Sequence, residues 1–110
     1  MNYEEIMMDP PTLLRFNIYR YLKQLDTDSF SINQLAEEMD LNYQQAVIEL
    51  TEIDEELQGI NPDHESILLR AGKVNPQNLS SSIDHYRRIH SKDYAMNIAI
   101  ISINLSVVHR

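Results

Sequence analysis

Apolar positions recur at helical spacing in three stretches of the first sixty residues. Leu14, Ile18, Tyr21, Leu22 and Leu25 form one stripe, with Phe16 and Tyr19 alongside, and predict a first helix over about 11–25. Pro10-Pro11 suits its opening, because proline is tolerated in a first turn and costly further in. Ile32, Leu35, Ala36 and Met39 define a second helix over 32–39, and Ala46, Leu50, Ile53 and Leu57 a third over 43–58. Between these two, Asp40-Leu41-Asn42 supplies a tight turn whose Asn42 can cap the third helix through its side-chain oxygen, as Ser31 or Asn33 can cap the second. Gly59 is predicted to end the third helix as a left-handed cap residue.

Short extended segments surround this unit. Phe30-Ser31-Ile32 is expected to pair briefly as a strand, and a hairpin is expected between Gly59–Asn61 and Ser66–Arg70, closing through Ala71-Gly72-Lys73-Val74. Three helices and a hairpin wing over 1–75 make a mainly α (α+β) winged helix-turn-helix, the unit that lays one helix in the DNA major groove. Asn75-Pro76-Gln77-Asn78 then reads as a linker, and Ser80-Ser81-Ser82 as caps for a helix on which Ile83, Tyr86 and Ile89 or His90 share a face. From Tyr94 a last helix is apolar nearly all round (Ile98, Ile100, Ile101, Ile103), a pattern of burial rather than of a surface helix. It is expected to dock on the first domain, to pair with a second copy as a homodimer, or to belong to a longer protein. Residues 76–110 are therefore taken as a helical segment that follows the first domain.

Composition narrows the class. With 43% apolar and 24% charged residues, the 110-residue chain suits a soluble globular protein of one domain, or of one small domain plus an appendage. The absence of cysteine excludes disulfides, thiolate metal sites and a thiol nucleophile, and suits a reducing cytoplasm. The acidic start MNYEEIMMDPP lacks the basic n-region of a signal peptide, and the apolar stretch 98–108 is too short to span a bilayer, so no membrane is expected. The formal charge of −8 opposes non-specific attraction to nucleic acid, but it is unevenly spread. Residues 1–65 hold fifteen acidic side chains against Arg15, Arg20 and Lys23, whereas residues 66–110 hold six basic side chains against Asp84 and Asp93. A phosphate-facing surface must come largely from the second half.

The candidate contacts follow. Asn42, Tyr43, Gln44, Gln45 and Ile48 lie at the start of the third helix, where glutamine can pair with adenine and an apolar side chain can touch a thymine methyl. Arg70, Lys73, Arg87 and Arg88 are candidates for phosphate contacts. The alternative for each is a solvated side chain, in a winged helix used for protein interaction or oligomerisation without DNA, or in a small stand-alone helical adaptor. His64, His85, His90 and His109 have no metal-ligand spacing, and Asp63-His64-Glu65 is expected to be an exposed turn. The acidic run Glu52–Glu56 lacks the alternating ligands and glycine of a calcium loop and reads as a solvated helix face. No phosphate-cradling loop, nucleophile elbow or paired His/Asp motif is present, so neither enzyme activity nor a cofactor is expected.

The stripe TLLRFNIYRYLKQL, the stretch FSINQLAEEMDLNYQQAVIELTEIDEELQGI, a short wing ending in Gly72 and the segment SIDHYRRIHSKDYAMNIAIISI together resemble the N-terminal region of the Mga/RofA-like (M protein trans-acting positive regulator) family of Gram-positive transcriptional regulators. The resemblance implies a DNA-binding activator of virulence-regulator type with two winged helix domains, the helical segment 76–110 leading into the second helix-turn-helix domain of a longer protein, followed in such proteins by phosphorylation-controlled and dimerising domains. Members often carry Ser-x-Ser/Thr-Thr-Leu-x-Arg at the start of the recognition helix. This chain departs from that pattern, with apolar Ile48 where the arginine is expected.

Overall fold

Local caps and buried stripes set the helices of the computed structural model, which describes residues 9–90. Helix α1 (Pro10–Lys23) begins where Asp9 accepts the Thr12 N–H at 2.9 Å and the two prolines fill its first turn. The Thr12 hydrogen bond holds the Asp9 carboxyl below the usual carboxylate range. Strand β1 (Phe30–Ser31) leads directly into α2 (Ile32–Met39), whose first turn is capped by the Ser31 hydroxyl on Gln34 N–H. Asp40 closes α2 in the left-handed region at φ 56, a conformation aspartate tolerates better than most side chains, while Leu41 N–H returns to Ala36 O. Helix α3 (Tyr43–Ile60) starts at Asn42, whose Oδ1 accepts the Gln45 N–H at 2.8 Å. The predicted α2–turn–α3 unit is thus present with its predicted caps and its predicted buried stripe of Ala46, Leu50, Ile53 and Leu57.

Gly59 does not end α3. It lies within the helix, which runs on to Ile60, and its φ is not positive. Pro62 is the stronger stop, since it pushes the preceding Asn61 into the extended region at φ −133, ψ 109. Where a strand is expected over Gly59–Asn61, the helix takes up Gly59 and Ile60 and Asn61 is its extended cap, so the hairpin forms later, from β2 (Leu68–Leu69) and β3 (Lys73–Val74). Its turn takes Ala71 and Gly72 into positive φ, at 62 and 68. Strand β3 is central in a three-stranded antiparallel sheet of order β1-β3-β2, with Val74 opposite both Phe30 and Leu68. The described part is therefore mainly helical with a small antiparallel sheet.

One core serves all of these elements. Phe16, Ile18, Tyr19 and Leu22 of α1 pack with Ile32 and Leu35 of α2, the α3 stripe, Ile67 and Val74. The stripe expected on α1 is rotated, so that Phe16 and Tyr19 are fully buried while Leu14, Tyr21 and Leu25 are only partly so. The cause lies far along the chain. Beyond β3, Pro76–Asn78 form a 3-10 turn, and residues 83–90 are helical (α4) after a cap by the Ser82 hydroxyl on His85 N–H. Tyr86 of α4 stacks on Tyr19 with ring centroids 4.1 Å apart, and the Tyr19 hydroxyl donates to Ser81 O while accepting from Ser81 N–H. Lys23 Nζ reaches Leu79 O at 2.6 Å, so residues 76–90 lie against α1 and share its core. Among the described residues no helix is long and apolar enough to cross a membrane. The expectations for residues 1–8, for the apolar helix from Tyr94 and for pairing through it lie outside the described residues.

Candidate nucleic-acid interface

The start of α3 and the turn of the hairpin meet at one point. Ile32 N–H donates to Gly72 O at 3.0 Å, and the Tyr43 hydroxyl lies so close to Gly72 that a Cβ there would come within 2.9 Å of it. The hairpin turn is thereby keyed to the start of α2 and to the start of α3 together. Of the residues singled out in the sequence, this contact gathers Asn42, Tyr43, Arg70 and Lys73 around one edge, with Arg70 in the turn and Lys73 exposed on β3. Gln44 and Gln45 are exposed on the outer side of α3, and Ile48 keeps 57% of its surface open to solvent. Ile48 also lines a shallow groove with Pro11, Arg15, Glu49 and Glu52.

Arg87 and Arg88 are placed elsewhere. The Arg87 guanidinium lies 5.6 Å from the Phe16 ring centroid and pairs with Asp84 at 3.1 Å. Adjacent Tyr86 donates to Glu56 Oε1 at 2.8 Å. Glu56 is about 20 Å along the helix axis from Tyr43, at 1.5 Å rise per residue. Arg88 is exposed on the same short helix. These two arginines do not join Arg70 and Lys73 beside the start of α3.

Two polar clusters absent from the sequence reading organise the acidic side of α3. Arg15 of α1 sits among Glu49, Glu52 and Glu56, at 3.7, 3.9 and 3.8 Å. Glu56 also meets the buried His90 ring, whose Nε2 is 2.8 Å from its Oε2. Burial raises the Glu56 carboxyl, but His90, Tyr86 and Arg15 together outweigh it and hold the group below its ordinary value. Glu49 is raised, because burial and the neighbouring Glu52 and Glu56 outweigh Arg15. Burial also pushes the Tyr19 phenol up to about 12, and Tyr86 higher still, so both hydroxyls keep their protons and serve as donors.

The second cluster is a clasp. Asp54 accepts from Ser66 Oγ at 2.6 Å and from Ile67 N–H at 3.0 Å, and its Oδ1 is 2.7 Å from His64 Nε2. Burial raises Asp54, yet these hydrogen bonds prevail and the carboxyl is lowered. His64 is not in an exposed turn: its side chain is 1% exposed. Nor is Glu52–Glu56 a uniformly solvated face, because Asp54 ties down the loop that leads into β2 and Glu56 receives α4. The i, i+3, i+7 spacing of Glu49, Glu52 and Glu56 was the available signal for one shared face. No sequence spacing pointed to Arg15 or His64 as their partners. Among the described residues, no group of three or more His, Asp or Glu side chains could hold a metal ion.

Comparison with protein-family models, curated proteins and solved structures finds no match to the chain.

Proposed function

We propose that residues 9–90 form a winged helix-turn-helix that binds double-stranded DNA in a transcriptional regulator of the Mga/RofA-like kind. The element order α1-β1-α2-α3-β2-β3, with β3 central in the sheet, supports the winged reading. In it α3 enters the major groove, and the β2–β3 hairpin is the wing. The observation that carries the reading is the shared edge at which Tyr43 meets Gly72. There the uncharged, exposed Gln44, Gln45 and Ile48 face bases while Arg70 and Lys73 neutralise phosphates. The regulator would act in the cytoplasm, without a catalytic step or a cofactor.

One observation favours a second reading, a protein-interaction or oligomerisation module. Glu52 and Glu55 are exposed further along α3, and no lysine or arginine occurs between Lys23 and Arg70. Binding of labelled promoter duplexes by the intact chain at two salt concentrations separates the two. A DNA reader retains a specific fragment and weakens as salt rises, because each neutralised phosphate releases counterions. Absence of binding at low salt rejects the DNA reading in favour of the interaction module.

A further inference from the structure

The exposed side chains at the start of α3 form a selective set. Gln44 and Gln45 stand one turn before Ile48 on the same outward side, and all three are exposed. In the major groove, arginine and lysine read guanine at O6 and N7, asparagine and glutamine read adenine at N6 and N7, and apolar groups cover the thymine methyl. This helix offers the second and third kinds and has no lysine or arginine along its length. The occupant that suits the face is a duplex, because Arg70 and Lys73 stand on a turn held to the helix start by Tyr43 and match a phosphate backbone, whereas Arg15, which shares a groove with Ile48, is taken up by Glu49, Glu52 and Glu56. One turn beyond Ile48, Glu52 is 51% exposed and 3.9 Å from Arg15, and its negative charge marks where the contact with DNA must end.

Resting on the DNA reading above, we propose that α3 reads a core of A·T pairs, with Gln44 and Gln45 pairing to adenine and Ile48 covering a thymine methyl. An isoleucine with 57% exposure gains from losing water against a methyl and contributes little to the fold where it stands. It is the specificity-determining residue of the face.

The test selects duplexes with a randomised core on the intact chain, then replaces each selected thymine by deoxyuridine, which lacks only the C5 methyl. The expected result is an A·T-enriched core in which one thymine-to-uracil change weakens binding about fourfold, the factor for one buried methyl-sized group. Ile48→Ala is expected to bind the thymine and uracil duplexes equally. A guanine-rich core, or equal binding of both duplexes by the unaltered chain, overturns the base assignment and leaves DNA binding standing. Recovery of no duplex at low salt overturns the DNA reading and this inference with it.

Discussion

The Tyr43 hydroxyl rests against Gly72, and this contact joins the first residue of α3 to the turn of the β2–β3 hairpin. Gly72 is suited to the position twice over. Its φ of 68 is one that side chains rarely adopt, and a Cβ would stand 2.9 Å from the phenol oxygen. Gly72→Ala is expected to destabilise the protein by about 1–3 kcal/mol, from backbone strain and crowding together. Urea unfolding measures the loss. Shortening the neighbour in Tyr43→Ala/Gly72→Ala should give less than the sum of the two single effects, since only the strain at φ persists.

Arg70 and Lys73 are expected to act on DNA as point charges and not as base readers. Each change to alanine should weaken all duplexes alike and reduce the slope of log K against log salt by about 0.9. Arg88→Ala should leave both quantities unchanged, because α4 meets α3 at Glu56 and not at its start. Fluorescence anisotropy over a salt series distinguishes these outcomes. A slope lowered by Arg88→Ala and not by Arg70→Ala would reverse the orientation proposed here.

Asp54 is expected to confer acid-sensitive stability. Its carboxyl is lowered in the fold, so the unfolded chain takes up the proton first on acidification. The stabilisation is complete above the ordinary aspartate value near 3.8 and disappears as pH falls through the lower folded value. Asp54→Ala should cost about 1–3 kcal/mol at pH 7, because the Ile67 N–H and the Ser66 hydroxyl lose their acceptor. Measured in urea at pH 7 and again well below pH 3.8, the gap between the native protein and the variant should close in acid. Glu56 works in the same direction, with its own contribution lost below about its ordinary value of 4.5.

Glu49 carries the opposite sign. Its folded pKa is raised, so the folded state binds the proton more readily and stability from this group falls as pH rises from 4.5 through the folded value. Glu49→Gln is therefore expected to leave thermal stability at pH 7 unchanged or higher, although a contact with Arg15 is removed, because Glu52 and Glu56 remain as partners. A lower Tm for Glu49→Gln at pH 7 would contradict the assignment.

Tyr86 is expected to be as costly to remove as a residue of α1–α3. Its ring is fully buried against Tyr19, and its hydroxyl bonds Glu56. Tyr86→Ala should cost about 3–5 kcal/mol, and Tyr86→Phe about 0.5–3 kcal/mol, for the lost bond to a charged acceptor. Equilibrium unfolding should remain a single transition, since residues 79–90 share one core with the helices before them.

The sequence by itself determined the α2–turn–α3 unit. Its caps at Ser31 and Asn42 and its buried stripes act over three or four residues, within reach of a 3.6-residue period. The exposed row Gln44, Gln45 and Ile48 was legible for the same reason, as the side of α3 opposite its stripe. Only the tertiary structure decided what depends on distant partners. Gly59 looked like a cap, but Pro62 set the end of α3 and moved the hairpin to 68–74. The carboxylates of α3 looked solvated, but Arg15, His64 and His90 reach them from other elements. Residues 75–78 looked like a linker, but Pro76 is buried and the chain beyond lies on α1 because Tyr19 finds both Ser81 and Tyr86 there. Contacts between residues so far apart in the chain are set by how whole faces of elements fit together, and no local pattern encodes that fit.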